Sequence, residues 1–137
     1  TGANRIIYST DNAVTWNTVA APENNSWEDI TFGNGVFVAI SSDGTNRIMT
    51  SSDGVSWNPS TTPENNSWKS IAFGNGVFYA VSSDGTNRLI YSEDGTNWQT
   101  RYIDQQPWIQ ITYSKGIFIA INENNTAPFY ISRTAYL

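Results

Sequence analysis

An all-β fold made of repeated four-stranded antiparallel meanders is predicted by three features of this 137-residue sequence. Trp16, Trp57 and Trp98 recur at steps of 41 residues. Within each unit apolar and polar residues alternate with period two, as half-buried strands require, and no stretch carries the 3.6-residue period of a helix. Aromatic residues make up 14% of the chain, six of them Trp, a composition that suits pleated surfaces.

The repeat extends beyond one residue type. Trp27, Trp68 and Trp108 are separated by 41 and 40 residues, and Phe37, Phe78 and Phe118 by the same two steps. Residues 16–56 and 57–97 share 26 identities in 41 positions, including the unbroken strings PENNSW, FGNGVF and SSDGTNR. In the second copy, strands are expected at 68–73 and 77–82, joined by Gly74-Asn75-Gly76. Asn-Gly accepts positive φ at both centres of a type I′ turn. A third strand is expected at 88–92, a turn over Asp94-Gly95 follows, and 98–103 reads as the fourth strand. Four strands in about 41 residues, repeated, mark a β-propeller blade. The two Trp series then read as packing between blades.

Strand counting sets a further constraint. Residues 5–11 and 15–20 match the last two strands of a blade, two complete blades follow, and 108–113, 117–121 and 129–132 match the first three strands of another. The expected organisation is a half blade at 1–26, blades at 27–67 and 68–107, and an incomplete last blade at 108–137. A closed ring needs at least about four blades. Completion is therefore expected either from copies of the same chain or from the remainder of a larger propeller, and both explanations stay open. Unpaired strand edges and open blade faces would favour association.

Composition narrows the function classes. The net charge is −5, and the seven Lys and Arg residues are scattered singly, so no nucleic-acid partner is expected. No apolar run approaches the roughly 20 residues of a membrane-spanning helix, so no membrane insertion is expected. The chain has no His and no Cys, which removes the commonest general base, thiolate nucleophiles, disulfides and the usual zinc ligands. The expectation is a non-enzymatic protein with no catalytic residue, no metal and no cofactor. Thr1 is followed by no charged-then-apolar leader, as in a mature or trimmed product, and the export route stays open.

Two polar loops recur and are the binding candidates. Pro22-Glu23-Asn24-Asn25-Ser26-Trp27 returns as Pro63-Glu64-Asn65-Asn66-Ser67-Trp68 between blades. Amides beside an aromatic plane are what sugar recognition uses, so Asn24, Asn25, Trp27, Asn65, Asn66 and Trp68 are the candidate ligand-binding residues. One such site per blade would add avidity. The second loop, 41–47 and 82–88, is equally polar. Arg5, Arg47 and Arg88 occupy one place in the repeat, so ring symmetry spreads them around the rim as loop-end charges on a solvated face.

The turns Ser51-Ser52-Asp53-Gly54-Val55-Ser56-Trp57 and Ser92-Glu93-Asp94-Gly95-Thr96-Asn97-Trp98 resemble the Asp-box motif of sialidase-like propellers. Both are one residue shorter than the S-x-D-x-G-x-T-W pattern, whereas Ser9-Thr10-Asp11-Asn12-Ala13-Val14-Thr15-Trp16 has the full length with Ala13 in the Gly position. In those relatives the box is structural and lies away from the ligand, which implies a structural role for Asp11, Asp53 and Asp94. The F-G-N-G-x-F-x-A and S-x-D-G-x-x-W blades are also similar to those of bacterial surface and phage tail proteins. The repeated polar loops lead to the expectation of a non-enzymatic recognition module for a cell-surface glycan or receptor, and the resemblance implies a place on a phage tail or bacterial surface protein, outside the cell on a virion or cell surface. The alternative is a purely structural component of a virion or adhesin with no soluble ligand.

Overall fold

The computed structural model describes residues 4–124 and 130–133. It contains thirteen strands and no helix among the described residues. The strands β1 (Asn4–Tyr8) and β2 (Asn17–Ala20) form a two-stranded sheet. A four-stranded sheet follows in the order β3 (Trp27–Gly33), β4 (Val36–Ser41), β5 (Ile48–Ser51) and β6 (Asn58–Ser60). The next blade repeats it with β7 (Trp68–Gly74), β8 (Val77–Ser82), β9 (Leu89–Ser92) and β10 (Gln99–Arg101). The last sheet has three strands, β11 (Trp108–Ser114), β12 (Ile117–Asn122) and β13 (Tyr130–Arg133). All pairings are antiparallel between sequence neighbours, as in propeller blades. Phe129, expected to open the final strand, lies outside the described residues.

Turn chemistry sets the register. Asn34-Gly35, Asn75-Gly76 and Lys115-Gly116 all have positive φ at both positions, between 48° and 80°. That conformation matches the right-handed twist of the strands it joins. At the far end of each first strand, Trp27, Trp68 and Trp108 precede a one-residue register shift, so each blade carries a bulge at Glu28, Lys69 or Ile109. The bulge sets the following residue, Asp29, Ser70 or Gln110, back into the pairing.

The blades then stack. One core joins Val38, Ile40 and Ile48 of the first full blade to Trp68, Ile71, Phe78, Ala80 and Ile90 of the second. A second core joins Ala72, Val81 and Leu89 to Trp108, Ile111, Phe118 and Ala120 of the third. Each fully buried large side chain contributes about 1.5–3 kcal/mol. The first strands β3, β7 and β11 lie side by side and are cross-linked by side chains. Asp29 Oδ2 accepts from Ser70 Oγ at 2.8 Å and from the Ile71 N–H at 2.9 Å, and Ser70 Oγ accepts the Ile111 N–H at 3.1 Å. At the turn end, Asn34 Nδ2 donates to the carbonyls of Gly76 at 3.0 Å and Glu93 at 2.8 Å.

Between blades an aromatic ring also lies directly over a glycine. A Cβ placed on Gly33 would lie 2.2 Å from Phe73 Cγ, and one on Gly74 would lie 2.1 Å from Tyr113 Cγ. Neither position leaves room for any side chain. Gly33→Ala and Gly74→Ala are therefore expected to destabilise the chain by about 1–3 kcal/mol each through overpacking. Ser114→Ala, at the same register in the exposed end of β11, is expected to be neutral within about 0.5 kcal/mol. Urea unfolding of the three variants checks the contrast.

Candidate functional site

The two repeated polar loops bind each other. Asn25, 4% exposed, donates through Nδ2 to Ser41 Oγ at 3.2 Å and to the Asn46 carbonyl at 2.8 Å. Asp43 takes the Ser26 N–H at 2.6 Å on one carboxylate oxygen and the Ser26 hydroxyl at 2.8 Å on the other. Glu23 accepts the N–H groups of Thr45 and Asn46 and the Asn46 side-chain amide. The next blade repeats the arrangement, with Asn66 donating to Ser82 Oγ at 3.3 Å and the Asn87 carbonyl at 2.8 Å. A side chain on Gly44 or Gly85 would overlap Asn25 or Asn66, so the second loop is shaped around the amide of the first.

This geometry corrects part of the sequence-based site. Asn25, Asn66 and Trp68 are buried, the last at 0% exposure, and their polar groups are committed inside the fold, so they offer nothing to a ligand. Trp27 is half-buried, with its indole N–H donated to the Glu23 carbonyl at 3.3 Å. Asn24 and Asn65 are exposed, and Asn24 accepts from Arg5 Nε. The residue types that suit sugar binding also suit loop closure, and burial separates the two. Arg47 and Arg88 are likewise not loose rim charges: both are half-buried and donate to carbonyls of their own loops, at Gly44 and Ser42 or at Gly85 and Ser83. Arg47 also reaches the Asn66 carbonyl of the next blade at 2.8 Å.

The Ser-Asp-Gly-Trp turns at the opposite blade end are self-contained. Asp53 Oδ1 accepts the N–H groups of Val55 at 2.8 Å and Ser56 at 2.7 Å, and Ser51 Oγ accepts that of Gly54 at 2.8 Å. Trp57 closes the turn by donating to the Gly54 carbonyl at 3.0 Å. Asp94 and Trp98 repeat these bonds. In the longer first copy, Thr15 donates both its N–H and its hydroxyl to Asp11, and Asn12 and Ala13 adopt φ of 57° and 65°. These donors hold the carboxylates charged. Asp11 is pulled down to about 2, first by the Thr15 hydroxyl and then by its N–H. Asp53 is lowered by the Ser56 and Val55 amides, and Asp94 by the Asn97 amides and the Thr96 N–H.

A different cluster stands open at the joint between the second full blade and the three-stranded last sheet. Where the first full blade carries Val38, Thr50, Asn58 and Ser60, the second carries Tyr79, Tyr91, Gln99 and Arg101. The strand register sets Tyr79, Tyr91 and Gln99 in one row across β8, β9 and β10. The Arg101 guanidinium lies 4.5 Å from the Tyr91 ring centre and 5.7 Å from that of Tyr79, and donates to the Tyr79 hydroxyl at 2.9 Å. Tyr91 donates to Gln99 Oε1 at 2.7 Å. Tyr79 and Arg101 also line a cavity of about 80 Å³ whose apolar wall includes Val81, Leu89, Trp108 and Phe118. A polar depression beside Glu93, Asp94 and Asn97 shares Tyr91 and Gln99. Aromatic planes, hydroxyls, an amide and a fixed guanidinium thus converge on one edge. Sequence reasoning missed these residues, although comparison of the two near-identical blades along their strand register exposes them.

A family model described as the DUF6242 beta propeller domain matches residues 22–135. No curated protein matches the chain significantly. Among solved structures, virginiamycin B lyase from Staphylococcus aureus is similar with a TM-score of 0.69 at 15% identity, over 96% of this chain and 49% of that one. YCF48 from Cyanidioschyzon merolae is similar with a TM-score of 0.64 at 15% identity, over 83% and 36%. The computationally designed Ika4 protein has a TM-score of 0.60 at 12% identity, over 82% and 69%. The chain thus spans about half the length of the lyase and about a third of YCF48. These likenesses establish the propeller fold.

Three outcomes follow from the site geometry. Asn66→Ala is expected to cost about 1–3 kcal/mol by leaving buried partners unpaired, whereas Asn65→Ala stays within about 0.5 kcal/mol, as chemical denaturation would read. Ala13→Gly is expected to stabilise by about 1 kcal/mol, since glycine tolerates positive φ without a Cβ clash, and a rise in Tm checks it. Because the turn aspartates have folded values below their unfolded ones, the unfolded chain takes up protons first. Stability is then flat above about pH 5 and falls as acid reaches the depressed folded values, near 2 for Asp11. Thermal melts from pH 7 to 2 should show that fall, with a smaller one in the Asp53→Asn, Asp94→Asn double variant.

Proposed function

The chain belongs to the DUF6242 β-propeller domain family, and from that premise we propose that it is a non-enzymatic recognition module for a cell-surface glycan or receptor. The observation that supports this reading is the Tyr79–Tyr91–Gln99–Arg101 cluster, which replaces small residues of the preceding blade with aromatic and cationic groups at one accessible edge. The half-buried Tyr79 and Tyr91 rings would offer apolar contact to a sugar ring while its hydroxyls take up Gln99, Arg101 and the phenol groups. Arg101 adds a planar donor fork suited to an acidic sugar. The recognition site accordingly moves from the loop residues Asn25, Asn66 and Trp68 to this cluster. The Ser-Asp-Gly-Trp turn wiring supports a relationship to Asp-box propellers, and with it a place on a phage tail or bacterial surface, outside the cell.

A second reading, a structural component of a virion or adhesin, is favoured by the exposed apolar residues Ile30 and Phe32 on a blade face. Glycan-array binding separates the two. The recognition reading expects signal that Arg101→Ala and Tyr91→Ala each reduce at least about tenfold, a loss of about 1.4 kcal/mol, while Asn65→Ala leaves it intact and Tm stays constant for all three. Silence on the array, with Phe32→Ala disrupting assembly, would support the structural reading instead. Turnover of any bound glycoside would overturn both.

A further inference from the structure

We infer that Asn75 is a site of spontaneous covalent modification, deamidation through a succinimide, and that the joint between the two full blades protects the chemically identical Asn34. Asn-Gly occurs twice in the chain, at 34–35 and 75–76, each time inside the same six residues, Phe-Gly-Asn-Gly-Val-Phe. The reaction needs a backbone nitrogen after the asparagine that no side chain screens, and glycine, without a Cβ, supplies it. The Gly76 nitrogen attacks Asn75 Cγ and a C–N bond forms. The side-chain nitrogen leaves as ammonia, taking the Gly76 amide proton with it. Water then opens the five-membered imide at either carbonyl, giving aspartate or, with the backbone rerouted through the side chain, isoaspartate. Water is the only co-reactant.

Local structure does not separate the two sites. Asn34 and Gly35 have φ of 48° and 78°, Asn75 and Gly76 of 50° and 80°. Gly33 pairs with Val36 as Gly74 pairs with Val77, and the flanking rings lie 4.7 Å apart in both hairpins. All four turn residues are exposed, and a Cβ on Gly35 or Gly76 would meet nothing within 4 Å. The difference lies in what the neighbouring blade offers. Asn34 Nδ2 donates to the Gly76 carbonyl at 3.0 Å and to the Glu93 carbonyl at 2.8 Å. Turning Cγ toward the Gly35 nitrogen, and releasing Nδ2 as ammonia, breaks both bonds. Asn75 stands in the same place one blade further on, and its amide has no hydrogen-bond partner among the described residues.

The position gives the modification consequences. Isoaspartate adds a methylene to the backbone of the two-residue turn that sets the register of β7 and β8. Those strands carry Ile71, Phe78 and Ala80 of one core and Ala72 and Val81 of the other. The Gly74 next to the turn lies under the Tyr113 ring, and the Gly76 carbonyl within it holds Asn34. Conversion of Asn75 therefore loosens the turn on which both joints depend.

The test uses the unaltered full chain, incubated at mildly alkaline pH and body temperature, with a parallel sample unfolded in urea. Trypsin separates the sites, releasing residues 6–47 with Asn34 and 70–88 with Asn75, and fragmentation in the mass spectrometer assigns the amide-to-acid mass gain to one asparagine. In the folded chain Asn75 is expected to convert at least about tenfold faster than Asn34, a barrier difference of about 1.4 kcal/mol. In urea the two rates should become equal, because the six residues around each site are the same. Equal rates in the folded chain, faster conversion at Asn34, or an intact Asn75 over an interval in which the unfolded chain converts would each overturn the inference.

Discussion

Contact between the first strands of successive blades is the constraint from which the rest of this molecule follows. A four-stranded sheet with apolar residues on both faces cannot bury both by itself, so every blade needs a neighbour on each side. The neighbours meet where Phe73 and Tyr113 lie on Gly33 and Gly74, and close approach there draws Ile71 and Ile111 out of water. The bulges before Asp29 and Ser70 bring their side chains to the next strand's N–H groups. Packing and hydrogen bonding thus agree on one spacing, and a side chain at either glycine would break both.

Polar loops are organised by the same economy of neighbours. Every Asn, Asp and Glu in the Pro-Glu-Asn-Asn-Ser-Trp and Ser-Ser-Asp-Gly-Thr-Asn-Arg loops of the first full blade except Asn24 is used to hold one loop to the other, and Asn24 holds Arg5. No buried side-chain nitrogen or oxygen is left without a partner among the described residues. Loops so fully satisfied are scaffolding. The recognition proposed above accordingly rests on side chains that the repeat does not require, Tyr91, Gln99 and Arg101 on the outer strands.

Much of the fold was legible in the sequence. Alternation, the 41-residue step and the Asn-Gly and Asp-Gly turns are local signals, and each names a strand or turn without reference to anything distant. Thirteen strands were expected and thirteen are present among the described residues, in the expected order. The candidate site was far less legible. Asn25 and Asn66 have the chemistry of a sugar ligand site and of a loop clamp alike, and only burial against residues 16 and 21 positions away decides for the clamp. Tyr79, Tyr91, Gln99 and Arg101 are scattered in the sequence and meet only once the strand register has aligned them.

By itself the sequence determined the class of fold, the period of the repeat, the turn types and the absence of His and Cys chemistry, because each depends on residue identity or on spacing within one unit. Tertiary structure alone decided which polar groups are occupied, which aromatic residues face solvent, and that Gly33 and Gly74 lie under the rings of Phe73 and Tyr113. The physical reason is that burial and steric fit belong to pairs of surfaces from different blades, and a chain read one residue at a time carries no record of which surfaces will meet.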